Sequence, residues 1–485
     1  MKVLTIALFF LLTACSSVPI ATTDKKTAAE PPATPVTAAP PVTAAPPVIT
    51  APNFLLIISD DQRYDTMKYM PLTKKMIFNE GVTFEKAYVT TSLCCVSRAS
   101  MFTGLYALHH GVRSNEDPLL KRTVMQDLHD HGYYTGLVGK YLNSWDPGKP
   151  RPEFDRWVDE ARQGWGPKLD PGMPRSSTYV DPFISVDGVW KKTPGYLTYI
   201  QRDYAVEFLR TVAKQNKPFF LLFAPFSPHG PATPAPEDAN LYADLPLHRP
   251  PSFNEADVSD KPSWIRNRNL VPVDTIDTYR RKQLQSLKSL DRAVASVVRE
   301  LQSLGQLDNT VIFYISDNGV LWGEHRLTKK DKVYEESIRV PFAIRYPKLT
   351  HRPRVESRLV ANIDIAPTIY DLAGLTPPGK MDGRSLVPLL SPTTATPWRN
   401  DIVIESWPTN YPAFVALHTG RYVYVEAVGD KPEFYDLKKD PYQLQNAVDM
   451  PEYQTTVTRL AVRLRKERSL KDYQGAPKRL NQWGD

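Results

Sequence analysis

The stretch NFLLIISDD, residues 53–61, is a short apolar run, Phe54 to Ile58, that stops on Ser59 and two adjacent carboxylates. A continuous apolar run of this length reads as a strand buried on both faces, and its charged end reads as the functional edge of a parallel sheet. Three more stretches have the same form. Tyr134 to Val138 runs into Gly139 and Lys140, Phe219 to Phe223 leads to Ser227-Pro228-His229, and Val311 to Ile315 runs into Ser316-Asp317-Asn318-Gly319. Helical patterns lie between them, including Asp277 to Leu304, whose apolar residues recur mostly three or four apart. The alternation predicts an α/β fold: a large, mainly parallel sheet sandwiched by helices, with ligands at the carboxyl edge. Four strand ends then meet on one rim.

Asp60, Asp61, Asp317 and Asn318 bring hard oxygen ligands to that rim, right for Ca²⁺ or Mg²⁺ and wrong for a soft metal; no Cys and His cluster has zinc spacing. Each acidic pair alone reads more readily as a helix cap or turn. Two pairs, both at strand ends, favour a cation. The chain has three cysteines, and two of them are neighbours in TSLCCVSRAS, residues 91–100. SRASMFTGLY reads as a helix start, where the dipole welcomes anions, so Cys94 is expected to have a lowered pKa. Cys95 is expected to be a small, partly buried neighbour.

Cys94-Cys95-Val96-Ser97-Arg98 followed by Thr103-Gly104 resembles the signature C-x-(P/S/A)-x-R of the sulfatases, whose cysteine is oxidised to formylglycine (3-oxoalanine). The paired cysteines and the following TG resemble the N-acetylglucosamine-6-sulfatase-like branch. The likeness continues in order through NFLLIISDDQRYDTM, GYYTGLVGKYLN, SPHGPATPAP, LDNTVIFYISDNG, GEHRLTKKDKVYEESIRVP, ANIDIAPTIYDLAG, MDGRSL and EFYDLKKDPYQLQN. It implies an alkaline-phosphatase-like fold and a metal, usually Ca²⁺, held by Asp60, Asp61, Asp317, Asn318 and the modified residue 94. Arg98 and Lys140 match positions that hold and polarise the formylglycine. His229 and Lys330 match positions that bind sulfate and serve the leaving oxygen; Lys330 is preferred to Lys329 and Lys332 because it stands four before Tyr334-Glu335. His325 is a further candidate near the leaving group, with a structural role as its alternative. The chemistry implied is hydration of the aldehyde, attack of one hydroxyl on sulfur, departure of the alcohol, and expulsion of sulfate by the second hydroxyl. Two residues depart from the common pattern. Val96 stands where the formylglycine-generating machinery usually meets Pro, Ser or Ala, and Gly139-Lys140-Tyr141-Leu142-Asn143 lacks the His of G-K-x-H, as the CCPSR branch does.

The amino terminus has a different character. Lys2, the apolar Val3 to Leu12 and Thr13-Ala14-Cys15 form a targeting segment too short to span a bilayer. Leu12-Thr13-Ala14-Cys15 resembles a bacterial lipobox, which implies cleavage after residue 14, lipid attachment at Cys15 and, with Ser16 behind it, an exported lipoprotein on the cell envelope, at the outer membrane. Residues 31–52 are rich in Pro, Ala and Thr and carry no charge, a composition suited to extended polyproline II. This tether from residue 15 to 52 reaches on the order of 100 Å. The expected organisation is therefore a signal at 1–14, a tether at 15–52, a catalytic domain at 53–394 and a C-terminal subdomain at 395–485. The net charge of +7 is mild for a chain with 60 basic and 53 acidic residues, compatible with an anionic substrate and giving no sign of nucleic acid.

Two long segments, Asp146 to Pro194 and Ala232 to Asp274, read as irregular insertions of the kind that carry binding. They hold Trp157, Trp165, Trp190 and Trp264 with Arg162, Arg266 and Arg268, suited to sugar rings and anionic groups, although Trp157 is as readily a core residue. The expected substrate is a sulfated amino-sugar glycan, with a small aryl sulfate as alternative. DIVIES, FVALHTG, RYVYVEA and EFYDL read as a small antiparallel sheet, followed by a helix from Glu452 to Glu467, which narrows the pocket without supplying a catalytic group. Two other functions stay open at this level: a phosphate or phosphonate ester hydrolase with the same metal site, and a catalytically weakened binder of sulfated glycans.

Overall fold

The four apolar runs form the centre of a ten-stranded sheet in the computed structural model, which describes residues 51–160, 178–350, 352–391 and 397–473. The expected signal, Cys15, the tether up to residue 50, Arg162, Trp165 and the tail beyond residue 473 lie outside the described residues. Along the chain, the first sheet strands are β1 (Asn53–Ser59), β2 (Val82–Phe84), β3 (Tyr134–Gly139) and β4 (Arg156–Glu160). They continue with β5 (Phe183–Val186), β6 (Val189–Lys192) and β7 (Phe219–Ala224). The last are β8 (Thr310–Ser316), β9 (Phe342–Arg345) and β10 (Arg354–Glu356). Their spatial order is β10-β2-β9-β8-β1-β7-β3-β4-β5-β6. The central run β8-β1-β7-β3-β4 is parallel throughout, as the apolar runs predict, while β9 and the β4-β5-β6 flank add antiparallel pairs.

One expectation fails here. The described residues of the segment 146–194 are not all irregular: they supply β4, β5 and β6 and extend the sheet to its edge. The sequence signal is weak because β6, Val-Trp-Lys-Lys, is an edge strand with solvent on much of its surface, so burial imposes no apolar pattern on it. Trp157 is a core residue, buried with its indole Nε1 donating to the Pro147 carbonyl at 3.0 Å.

Two-residue periodicity divides each central strand between two cores. Phe54, Leu56 and Ile58 pack with the helix α1 (Cys94–Thr103), whereas Leu55 and Ile57 face the helices α2 (Leu197–Ala213) and α3 (Val273–Ser303). Both faces are covered, which is why the runs are apolar at every position. Each such side chain, fully withdrawn from water, contributes about 1.5–3 kcal/mol. The C-terminal strands β11 (Ile402–Ser406), β12 (Phe414–His418), β13 (Tyr422–Ala427) and β14 (Glu433–Asp436) pair antiparallel in chain order, and their apolar residues join the α1 side of the core. The helix α4 (Gln454–Glu467) follows them. Among the described residues no helix is long and apolar enough to cross a membrane.

Gly139 closes β3 with φ +104°, and a Cβ built there would stand 2.2 Å from the Ala224 carbonyl oxygen. The same carbonyl accepts the Lys140 amide at 2.9 Å. Gly139→Ala is therefore expected to cost about 2 kcal/mol or more. Gly132→Ala, with φ +86° but open space around it, is expected to cost about 1 kcal/mol. Thermal unfolding of the two variants checks the difference; equal losses would show that the close approach at Gly139 is relieved without strain.

Candidate active site

Register alone brings the charged strand ends together. Ser59 of β1 lies opposite Ser316 of β8, so Asp60-Asp61 and Asp317-Asn318 leave the sheet side by side. Gly139 of β3 lies opposite Ala224 of β7, which sets Lys140 next to the loop that carries His229. Backbone hydrogen bonds fix these exits: the Asp60 amide donates to the Ser227 carbonyl at 3.3 Å and the Asp317 amide to the Ser59 carbonyl at 3.1 Å. Asp61 adopts φ +64°, a left-handed conformation rare for a residue with a Cβ, held by its amide bond to Asp317 Oδ1 at 3.1 Å.

Cys94 is the first residue of α1. Its N-cap residue, Leu93, offers no side-chain cap, and in the first turn the Cys95 amide donates instead to Asn115 Oδ1 at 3.1 Å. The Cys94 sulfur stands 3.8 Å from Asp60 Oδ1 and 2.6 Å from Lys330 Nζ. Lys140 Nζ donates to Asp60 Oδ2 at 2.6 Å, Arg98 Nε donates to Asp317 Oδ2 at 2.9 Å, and Lys330 also donates to Asp61. His229 turns Nδ1 to the Gly230 carbonyl at 2.8 Å and leaves Nε2 3.6 Å from Asp61 Oδ2. All the rim residues singled out in the sequence thus meet in one place. Asp60, Asp317 and Arg98 have no exposed surface, whereas the His229 side chain keeps 30% of its surface and that of Lys330 14%, which marks the open side of the pocket.

Electrostatics follow from three carboxylates facing three obligate cations in a dry site. Burial pushes the Asp60 and Asp61 carboxyls up, but Lys140 beside Asp60, Lys330 beside Asp61 and His229 near both more than offset it, and both stay below the usual range. Asp317 goes the other way: burial and the Asp60 charge raise it to about 6 against the pull of Arg98. Burial opposes the charge of Lys140 and Lys330, yet Asp60 and Asp61 respectively hold both ammonium groups above their ordinary range. Burial lowers His229 although Asp60 and Asp61 favour its proton.

The expected low pKa at Cys94 is not found. Burial pushes its thiol up to about 12, Lys140 and Lys330 recover only part of that, and Asp60 and Asp317 oppose ionisation. The helix terminus is outweighed by loss of water. Cys95 is completely rather than partly buried, and its sulfur accepts the Asn143 amide at 3.0 Å. Together with the bond from Arg98 to the Lys140 carbonyl, this contact ties α1 to the loop after β3. His325 is fully buried, paired through Nδ1 with Glu255 at 2.7 Å and stacked on Tyr334, a structural setting. Lys329 is exposed and Lys332 bonds to the Lys330 carbonyl, so Lys330 alone of the three reaches Cys94.

Two residues near the rim carried no sequence signal. Gln283 of α3 donates to the Asp61 and Pro228 carbonyls at 3.4 and 3.3 Å, and Trp322 fixes it through a 2.6 Å bond. Tyr279, one turn earlier, stands beside Gly230, and burial together with the Asp61 charge raises its phenol. Both lie within the amphipathic pattern of a long helix, which says which face is buried and not what it touches.

Ligand atoms of Asp60, Asp61, Cys94 and His229 lie within 4.8 Å of one another. Asn318 sends Nδ2 to Asp61 Oδ1 at 2.7 Å, while its Oδ1 is buried without a hydrogen-bond partner. An orphaned buried oxygen among carboxylates is a donor set that fits a hard divalent cation. Asn318→Ala is expected to weaken Ca²⁺ binding at least tenfold, about 1.4 kcal/mol. Calorimetric titration of the purified protein checks this; unchanged affinity would remove Asn318 from the cation site.

Comparison with known proteins agrees with the geometry. Residues 52–375 match the family model described as Sulfatase, and residues 323–470 match N-sulphoglucosamine sulphohydrolase, C-terminal. The chain is 32% identical to the extracellular sulfatase SULF-1 homolog of Drosophila melanogaster, covering 81% of this chain but 35% of that protein. It is 33% identical to the N-acetylglucosamine-6-sulfatase of Homo sapiens, over 73% of this chain and 67% of that one. A solved structure of a protein in complex with its substrate, D-glucosamine-2-N,6-O-disulfate, superposes with a TM-score of 0.77 at 24% identity, covering 88% of this chain and 99% of that one. The expected α/β architecture, with its large sheet and small C-terminal antiparallel sheet, is the fold of these neighbours. With its strand-end carboxylates, its helix-borne cysteine and a match across residues 52–375, the chain belongs to the sulfatase family.

Proposed function

We propose that the protein hydrolyses sulfate monoesters of a sulfated amino-sugar glycan, with N-acetylglucosamine-6-sulfate as the type of unit attacked, using residue 94 in its formylglycine form. The observation that carries this reading is the seat of Cys94: at the head of α1, against Lys330 and Asp60, inside a ring of cations. The N-acetylglucosamine-6-sulfatase relative supports the sugar, and the bound glucosamine disulfate of the structural neighbour is in keeping with it. Asp60, Asp61, Asp317 and Asn318 are the residues that would hold a Ca²⁺ or Mg²⁺ ion, which supplies charge neutralisation and a lower pKa for a nucleophilic oxygen. Formylglycine supplies the oxygen nucleophile that a thiol pushed up to about 12 does not.

The chain's own groups divide the remaining work. Arg98 and Lys140, both buried and both bonded to carboxylates of the rim, fix the Asp60 and Asp317 side chains in one orientation beside residue 94. Lys330 keeps its proton and lies on the open side, where it meets the non-bridging oxygens of a sulfate and the oxygen that departs. His229 commits Nδ1–H to a carbonyl and presents Nε2 to the same space; the arriving sulfate anion favours its imidazolium form, whose Nε2 proton passes to the sugar alkoxide, a poor leaving group. Closely spaced cations make an anionic ester bind where it reacts. The reading includes export and lipid anchoring at the cell envelope, supported by Leu12-Thr13-Ala14-Cys15 and the uncharged tether.

Mass spectrometry of the peptide spanning residue 94, from protein matured with formylglycine-generating machinery, is expected to read an aldehyde. That protein should desulfate N-acetylglucosamine-6-sulfate units faster than it cleaves phosphate or phosphonate esters of matched alcohols. Cys94→Ala is expected to lower turnover at least about a thousandfold. Faster cleavage of the phosphorus esters, or full turnover with alanine at 94, would sink the proposal. His229→Ala is expected to slow sugar sulfates by roughly a hundredfold and aryl sulfates, with their better leaving groups, far less. Equal losses would exclude it as the proton donor.

A further inference from the structure

The short segment that carries Lys330 is strained and heavily pinned. Lys329 and Asp331 on either side both adopt left-handed backbone, φ +65° and +68°, with no glycine to make that easy. Such a conformation persists only where its surroundings over-determine it. Four contacts do so. The Asp331 amide donates to the Ser92 carbonyl at 2.8 Å, and the Ser92 hydroxyl donates to the Lys332 carbonyl at 3.0 Å. The Lys332 ammonium donates to the Lys330 carbonyl at 2.9 Å, and the Tyr411 hydroxyl donates to the Asp331 carbonyl.

Tyr411 belongs to the loop between β11 and β12, so one of these four restraints reaches the segment from the C-terminal sheet. Its ring stacks on Trp264 with centroids 4.6 Å apart and planes 19° apart, and Lys332 lies 4.1 Å from its centroid while donating to its oxygen at 2.9 Å. The Arg268 guanidinium stands 5.4 Å from the Trp264 centroid at the far end of the column. Ser406, the last residue of β11, donates to the Asp331 carboxylate. The column thus joins three separate parts of the chain: the insertion at 232–274, the Lys330 segment and the C-terminal sheet. Its aromatic faces are taken up by each other and by the two cations, so it acts as a strut and not as a platform for a sugar ring.

We infer that Tyr411 and Lys332, braced by Trp264, are positioning residues that hold the strained Lys330 segment so that its ammonium stays against residue 94 and Asp61. The inference rests on the proposed function for its catalytic consequence, since Lys330 matters only if a sulfate ester reacts there. The C-terminal sheet then enters the reaction through backbone geometry, without offering a group to the substrate.

Tyr411→Phe keeps the stacked ring and removes only the hydroxyl bonds. In protein with the aldehyde at 94, it is expected to lower kcat roughly three- to tenfold with KM nearly unchanged. The loss should grow as the leaving group of the sulfate ester becomes poorer. In a Lys330→Ala background the same substitution should change kcat by less than about 1.5-fold, because the residue through which it acts is gone. Hydrogen–deuterium exchange should be faster for the peptide spanning 328–334 in Tyr411→Phe and unchanged for the peptide spanning 94–103. Two results would overturn the inference: unchanged exchange at 328–334, or an equal loss of kcat with and without Lys330. If the unsubstituted protein, with its aldehyde in place, turns over no sulfate ester, the proposed function falls, and the exchange comparison still decides whether Tyr411 holds the segment.

Discussion

Three carboxylates, Asp60, Asp61 and Asp317, and three cations, Arg98, Lys140 and Lys330, share a nearly water-free volume at the carboxyl edge of the sheet. Each charge there is tolerable only because the others are present. Removing one partner of a buried ion pair typically costs about 3–5 kcal/mol, since the other is left without water or counter-charge. The site is therefore a strict geometric demand on the fold, and the central strands are the device that meets it. Parallel pairing of β8, β1, β7 and β3 fixes the exits of their strand-end charges to within a hydrogen bond, at little cost in side-chain freedom.

A balanced cluster of this kind is also preorganised for an anion. In the proposed function, an ester sulfate arriving on the side left open by His229 and Lys330 would meet cations already oriented by carboxylates rather than by water. On that reading the protein would not have to reorganise as charge builds on the sulfate oxygens. Left-handed backbone at Asp61, Lys329 and Asp331 is part of the same economy of motion. Stretches that would relax if free are held by Gln283, Ser92 and Tyr411, which lie outside the ring of charges. The position of Cys94 shows how far burial dominates: two ammonium groups and a helix terminus together do not bring its thiol down to an ordinary value.

Much of this was legible residue by residue. The central strands announced themselves because both faces of the sheet are covered, which forces apolar residues at every position, and their charged ends followed directly. The antiparallel C-terminal strands also stood out between their turn residues. The flank built from β4, β5 and β6 did not, because an edge strand such as Val189–Lys192 is only partly buried and its composition resembles a loop. Gln283 and Tyr279 were hidden for a related reason: polar and aromatic residues on the buried stripe of a long helix look alike whether they line a site or fill a core.

The sequence by itself determined the strand identities, the ligand chemistry of the rim and the helix that begins at Cys94, because these depend on local apolar pattern and on residue type. Only the tertiary structure decided the full burial of Cys95, the raised thiol of Cys94 and the choice of Lys330 by geometry over its neighbours. The same is true of the bracing of Lys330 by Trp264 and Tyr411, which stand 66 and 81 positions away along the chain. Solvent exclusion and contact between distant segments are properties of the packed molecule, and no local pattern encodes them.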